Sequence, residues 1–323
     1  MKKSKKTFIG MTFLALALAA ISAFVLMGRH SVSAAAASSA SAAAQTAMPP
    51  VFIFAVTTDN TLYLLAPGST VYQSLGRIAG IGGFDVIGMD FRPADKRLYA
   101  LTDGGRLYTI NFNVAPPTAT LVSTLTPRFP SGFQSLMDFN PVVDAIRLIG
   151  GDTLNYAVVK NASNILATTA VQTSLTYAVG DVNAGKTPKV IGGAYTNNVA
   201  GATTTLFYAM DHDLDTLVTI ADKNATGSSN TGGGRLQTVG RLVDSAGNPI
   251  TVNGLSDMDI VTINGVNFMI GVSRDITFQI PLNTINPNLP LGTTQNVVVQ
   301  GFLFPTNPAA RSSFIDIAAS TLQ

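Results

Sequence analysis

The chain has no cysteine, no tryptophan and no glutamate; all 18 acidic residues are aspartate, and there are only two histidines. Each absence excludes something. Without cysteine there is no disulfide, no thiolate metal site and no lipidated N-terminal cysteine. Only His212 lies beyond the N-terminal region, so a nucleophile–base–acid triad or a zinc site would depend on that single imidazole. Flanked by Asp211 and Asp213, it reads as a solvated turn residue. Tryptophan is the usual stacking partner of sugar rings, and its absence weighs against a lectin or a glycosidase. Without glutamate, and with threonine, valine, glycine and asparagine abundant, helix formers are scarce and strand and turn formers dominate. The formal charge is only +2, and five of the 20 basic residues are Lys2, Lys3, Lys5, Lys6 and Arg29. The remainder carries more acid than base, which gives no electrostatic case for nucleic acid.

The first 50 residues read as a targeting region. Four lysines precede an apolar run from Phe8 to Met27, followed by Gly28-Arg29-His30 and then Val32-Ser33-Ala34, a small-residue cleavage pattern. The run exceeds the ~7–15 residues of a signal peptide's apolar region and is long enough to span a bilayer. Two readings follow: a long cleaved signal over residues 1–34, or an uncleaved anchor through residues 8–27. Either delivers the rest of the chain outside the cytoplasm, as a secreted, periplasmic or cell-surface protein. Residues 35–50, nearly all alanine, serine and threonine, read as a flexible linker, and residues 51–323 as the folded domain.

That domain is built on a repeat. Val86 to Leu125 contains four short apolar runs separated by turn residues, the middle pair joined by Asp103-Gly104-Gly105, a hairpin signal. Four consecutive antiparallel strands make one blade of a β-propeller. Met89-Asp90-Phe91 recurs as Met137-Asp138-Phe139, Met258-Asp259-Ile260 and Ile315-Asp316-Ile317. Ile191-Gly192-Gly193-Ala194-Tyr195 is a fifth, degenerate copy with Ala194 in place of the aspartate. The spacing is that of whole blades. The segment after Phe52 matches the second to fourth strands of the unit and lacks the first. The missing strand is at the other end, in Ser313–Ala318. The expectation is an all-β propeller of five four-stranded blades, closed by N- and C-terminal strands in one blade. A six-bladed ring is the alternative, because Asn161–Pro188 and Leu282–Pro308 are long enough to hold further strands.

Phe139–Gly150, Leu175–Val190, Ala194–Tyr208 and Leu214–Val218 follow one another in an order that resembles the bacterial family known as domain of unknown function 4394. The Tyr195-Thr196-Asn197 to Thr205-Leu206 stretch is the most distinctive part, and the likeness extends over roughly Phe52 to Ala318. The resemblance implies secreted or surface-attached bacterial proteins with propeller-like repeats. It implies no activity, ligand or catalytic residue.

Two sets of carboxylates are candidates for chemistry. Asp211, Asp213 and Asp215, with Asp222 at the twelfth position, have the ligand spacing of a calcium loop. Thr216 stands where such a loop needs glycine, and the stretch falls where the repeat places a hairpin, so the hairpin is the preferred reading. Asp90, Asp138, Asp259 and Asp316 interrupt apolar runs. Their preferred reading is structural: buried carboxylates that lock blades by accepting backbone N–H bonds from a nearby turn. The competing reading is a pair in a central channel acting on a glycosidic bond, which would need two unlike environments. The domain is therefore expected to be a monomeric binding or structural module with a protein or envelope-polysaccharide partner. Its resident cofactor is none, with calcium the one metal considered. The alternative is a glycoside-active hydrolase. Asn197–Thr204 and Ala225–Gly234, long polar loops between recognisable strands, are the expected contact points.

Overall fold

The computed structural model describes residues 49–222, 227, 233–273, 276–303 and 314–321. The expected targeting region and most of the expected linker lie outside the described residues. The chain enters with β1 (Phe52–Thr57), β2 (Thr61–Leu65) and β3 (Gln73–Arg77). A first complete blade follows, of β4 (Val86–Phe91), β5 (Leu98–Thr102), β6 (Arg106–Asn111) and β7 (Thr118–Thr124). The second comprises β8 (Ser135–Asn140), β9 (Ala145–Gly150), β10 (Asn155–Lys160) and β11 (Leu166–Val171). After the short β12 (Thr176–Tyr177), the third comprises β13 (Val190–Tyr195), β14 (Phe207–Asp211), β15 (Thr216–Ile220) and β16 (Arg235–Val243). The fourth contains β17 (Asp257–Ile263), β18 (Val266–Ser273) and β19 (Ile276–Ile280); after β20 (Val297–Val298) it is completed by β21 (Gln300–Leu303). Finally β22 (Phe314–Ser320) pairs antiparallel with β1, Phe52 opposite Ser320 and Val56 opposite Asp316.

The result is five antiparallel sheets in a ring, with the closing blade ordered β22-β1-β2-β3. The innermost strands β4, β8, β13, β17 and β22 each lie against the next, and β22 lies against β4. The long segments that left room for a sixth blade add strands to existing ones instead: β12 and β20 pair in parallel with β16, and β21 completes the fourth blade. Among the described residues the only helical element is a single turn at Leu282–Thr284.

The hydrophobic core is divided into five, one cluster at each seam between neighbouring blades. Phe54, Val56, Met89 and Phe91 fill the seam between the closing and first blades. Leu101, Leu107, Phe139 and Leu148 fill the next. Leu136, Ile149, Phe207 and Val218 lie between the second and third, Met210, Leu217, Met258 and Met269 between the third and fourth, and Ile53, Ile270, Phe314 and Ile317 close the circle. Each blade therefore buries both faces. That is why β1, β4, β8 and β13 are buried at every position, and why their sequences read as continuous apolar runs rather than alternating ones. The β17–β18 hairpin turns at Asn264-Gly265 with φ of 50° and 78°. Two positive φ values in a two-residue loop are the type I′ geometry, which suits asparagine followed by glycine.

Candidate functional site

The repeated aspartates sit on the innermost strands and tie each blade to the next. Met89 N–H of the first blade donates to Asp316 Oδ1 of the closing blade at 2.9 Å. Phe139 N–H donates to Asp90 Oδ2 at 2.7 Å, and Tyr195 N–H to Asp138 Oδ1 at 2.9 Å. Ala319 N–H donates to Asp259 Oδ2 at 2.5 Å. The expected partner was a turn. The observed partner is the neighbouring innermost strand, because that strand is the inner edge of its sheet and its outward N–H groups have no ladder partner.

The degenerate third blade shows how the pattern survives the loss of one member. Ala194 makes no forward bond, and Ile260 N–H, one residue past Asp259, is taken by Asp259's own Oδ1 at 2.5 Å. Asp257 spans the adjacent gap. Its Oδ2 accepts Ile317 N–H at 2.8 Å, and the Gly193 N–H of the third blade also bonds to its carboxylate. Gly192 permits this approach: a Cβ there would lie 2.7 Å from the Asp257 Cα. Reading the repeat passed over Asp257. Its signal was the Asp257-Met258-Asp259 spacing, since residues two apart on a strand share a face.

The five carboxylates crowd the axis. Asp90, Asp138, Asp257, Asp259 and Asp316 are all buried, and one oxygen each from Asp90, Asp138 and Asp259 lies within 4.8 Å of the others. Burial pushes every one of them above the usual carboxylate range, Asp259 to about 6. After burial, the Asp259 charge raises Asp90, and the charges of Asp90 and Asp259 raise Asp138. Arg147, opposite Asp138 in the ladder, ends instead on the Tyr195 hydroxyl at 2.7 Å and on Asn155 at 3.1 Å.

Of the second carboxylate set, Asp211, Asp213 and Asp215 lie in the β14–β15 hairpin, and Asp222 follows β15. Asp211 Oδ1 accepts the N–H groups of Asp213 and Leu214 at 3.1 and 3.2 Å, and its Oδ2 accepts the Tyr177 hydroxyl at 2.7 Å. Asp215 Oδ1 accepts Val252 N–H at 2.8 Å, Asp213 faces His212, and Asp222 pairs with Arg235. Each carboxylate is held by a different part of the chain, so the spacing that suggested calcium is used to cap a turn. His212 is not fully solvated: its side chain is 19 % exposed, and its ring packs near Gly254.

Two cavities open where chain leaves the innermost strands. The first, about 380 Å³, is lined by Arg92, Lys96, Asn198, Thr262, Asn264 and Ser320 over an apolar floor that includes Phe91 and Val261. The second, about 450 Å³, is lined by Asn197, Thr204, Tyr208, Gly227, Asn267 and Asn288. The Asn197–Thr204 loop contributes to both. It is pinned to the fourth blade: Asn197 N–H donates to Asn267 Oδ1 at 2.7 Å and Asn198 N–H to Thr262 Oγ1 at 2.8 Å. No aspartate lines either cavity. Of the other expected loop, Ala225–Gly234, most lies outside the described residues.

Fold and site together define a five-bladed β-propeller whose axis is walled by aspartates. The chain belongs to the family described as domain of unknown function (DUF4394), whose profile matches residues 61–297. No curated protein matches it. Similar solved structures include a chain of a nidogen/laminin complex, at 9 % identity and TM-score 0.45, covering 83 % of this chain and 97 % of that one. Another is a 6-phosphogluconolactonase assignment from Bacteroides uniformis, at 9 % and 0.38, covering 81 % and 70 %. A third is a Myxococcus xanthus glutaminyl cyclase, at 12 % and 0.33, covering 67 % and 69 %. Likeness at these levels carries no functional argument.

Proposed function

We propose that this protein is an extracytoplasmic propeller that binds a macromolecular partner, a protein or an envelope or matrix polysaccharide, at the end of the ring where the two cavities open. The observation that carries this reading is the pinned Asn197–Thr204 loop between two concave surfaces lined by amides, hydroxyls and Lys96, with the Arg92 guanidinium held at the rim by Asp144 and Asp95. Such groups recognise polar polymers by hydrogen bonds, and a loop held by a rigid scaffold loses little entropy on binding. The hydrolase alternative finds less support. Its carboxylates are at most 3 % exposed and line neither cavity, and a glycosidic bond must reach both members of a catalytic pair.

The test uses full-length protein recovered from the extracytoplasmic fraction of an expressing bacterium. It is applied to immobilised envelope polysaccharides and to the organism's extracytoplasmic proteins. Retention that falls at least tenfold in Lys96→Ala and in Asn264→Gly, a change that keeps the turn's positive φ, with melting temperature unchanged, is the expected result. Retention equal in parent and variants would move the site elsewhere, and recovery only from the cytoplasm would remove the compartment.

A further inference from the structure

The axial aspartates pose a charge problem. Asp90, Asp138, Asp257, Asp259 and Asp316 are each at most 3 % exposed. The charges that raise Asp90, Asp138, Asp257 and Asp316 are those of other axial aspartates. A dry group of ionised carboxylates is untenable alone, so it must take up protons or a cation.

Geometry favours a cation. In a buried all-carboxylate site calcium is favoured over magnesium, because it takes several carboxylate oxygens in a flexible geometry whereas magnesium dehydrates reluctantly and keeps several waters. The Asp90, Asp138 and Asp259 oxygens, all within 4.8 Å of one another, are close enough to share one such ion. A second observation points the same way. Among the described residues, Asp90 Oδ1 and Asp316 Oδ2 are buried with no hydrogen-bond partner, in residues only 1 % exposed. In each case the other oxygen is held by an inter-blade N–H, from Phe139 and Met89 respectively. Buried carboxylate oxygens left open in this way are uncommon and costly unless something binds them.

We propose that the axis of the ring binds one hard, calcium-sized divalent cation between Asp90, Asp138 and Asp259, with Asp316 supplying a further open oxygen beside it. The ion links the first, second and fourth blades directly. The third blade contributes Ala194 and no carboxylate of its own. The site is structural in kind: it neutralises the repulsion that closing the ring creates. It is separate from the Asp211–Asp222 stretch, whose carboxylates are engaged elsewhere.

The experiment uses the full chain, purified without chelator and analysed for metal by mass spectrometry, then unfolded and refolded in EGTA to empty the buried site. About one calcium per chain is expected as purified. Calcium chloride added to the refolded protein at a hundred times its dissociation constant should raise the melting temperature by about 5–10 °C. Asp90→Asn should reduce that rise at least by half, whereas Asp95→Asn, at the surface beside Arg92, should leave it intact. Parent protein that carries no divalent metal and does not shift with calcium overturns the proposal, whatever the variants do. A shift of equal size in Asp90→Asn and in the parent also overturns it, because the ion would then bind elsewhere.

Discussion

Asp138 shows what a single side chain contributes at a seam. Its Oδ1 receives the Tyr195 N–H, a donor sealed from water by the ring. Asp138→Ala leaves that donor unpaired and should cost about 1–3 kcal/mol. Asp138→Asn keeps an oxygen for Tyr195 and removes one of the like charges crowding the axis, so in calcium-free buffer it should cost less than alanine. Urea unfolding of both variants in EGTA measures the difference; an alanine variant as stable as the parent would remove the seam bond from the account. Two tyrosines make a second residue-scale prediction. Burial pushes Tyr72 and Tyr208 up to about 12. The folded value lies above the unfolded one, near 10, so their contribution is intact below pH 10 and lost as pH rises to 12. Each such shift is on the order of 2–3 kcal/mol over that window. Tyr72→Phe should therefore show a shallower loss of stability between pH 10 and 12. Denaturant midpoints with the same slope in parent and variant would count against it. The blade aspartates were legible as a repeat in the sequence. Their convergence was not, because residues in separate blades meet only when the ring closes.

Among the elements, β13 is the strand on which the seams depend most narrowly. Gly192 gives the third blade its close approach to the fourth, since a methyl group there would meet the backbone of Asp257 and Met258 at 2.7 and 3.0 Å. Backbone cannot swing aside as a side chain can. Gly192→Ala should destabilise by about 1–3 kcal/mol through overpacking and loss of the Asp257 link. The measurement is a thermal or urea transition. Gly180→Ala is not an adequate control, because Gly180 has φ of 90° and is strained by any side chain, whereas Gly132→Ala has open space and no positive φ. A Gly192→Ala protein as stable as Gly132→Ala would contradict the packing account. The hairpins were readable from their turn residues. The parallel additions β12 and β20 were not, since two-residue strands carry no periodicity.

Closure is the property of the whole molecule. Ending the chain at residue 313 removes β22, and with it the buried Phe314, Ile315 and Ile317, each worth roughly 1.5–3 kcal/mol. It also exposes the edge of β1 and takes away Asp316. The truncated protein should aggregate or melt far below the parent, as light scattering and calorimetry would show. An unchanged melting temperature would mean that the ring does not need its C-terminal strand.

The amino-acid sequence by itself determined the all-β class, the blade period, the five innermost strands and the pairing of the two termini. These follow from local apolar runs, turn residues and a motif repeated along the chain, all of which are written linearly. Only the tertiary structure decided what the aspartates face. It engaged Asp211 and Asp215 with the chain around a hairpin, brought in Asp257 where Ala194 makes no bond, and buried five carboxylates on the innermost strands. The physical reason is that a ring brings together positions roughly 50 to 230 residues apart, and only the closed ring removes them from water.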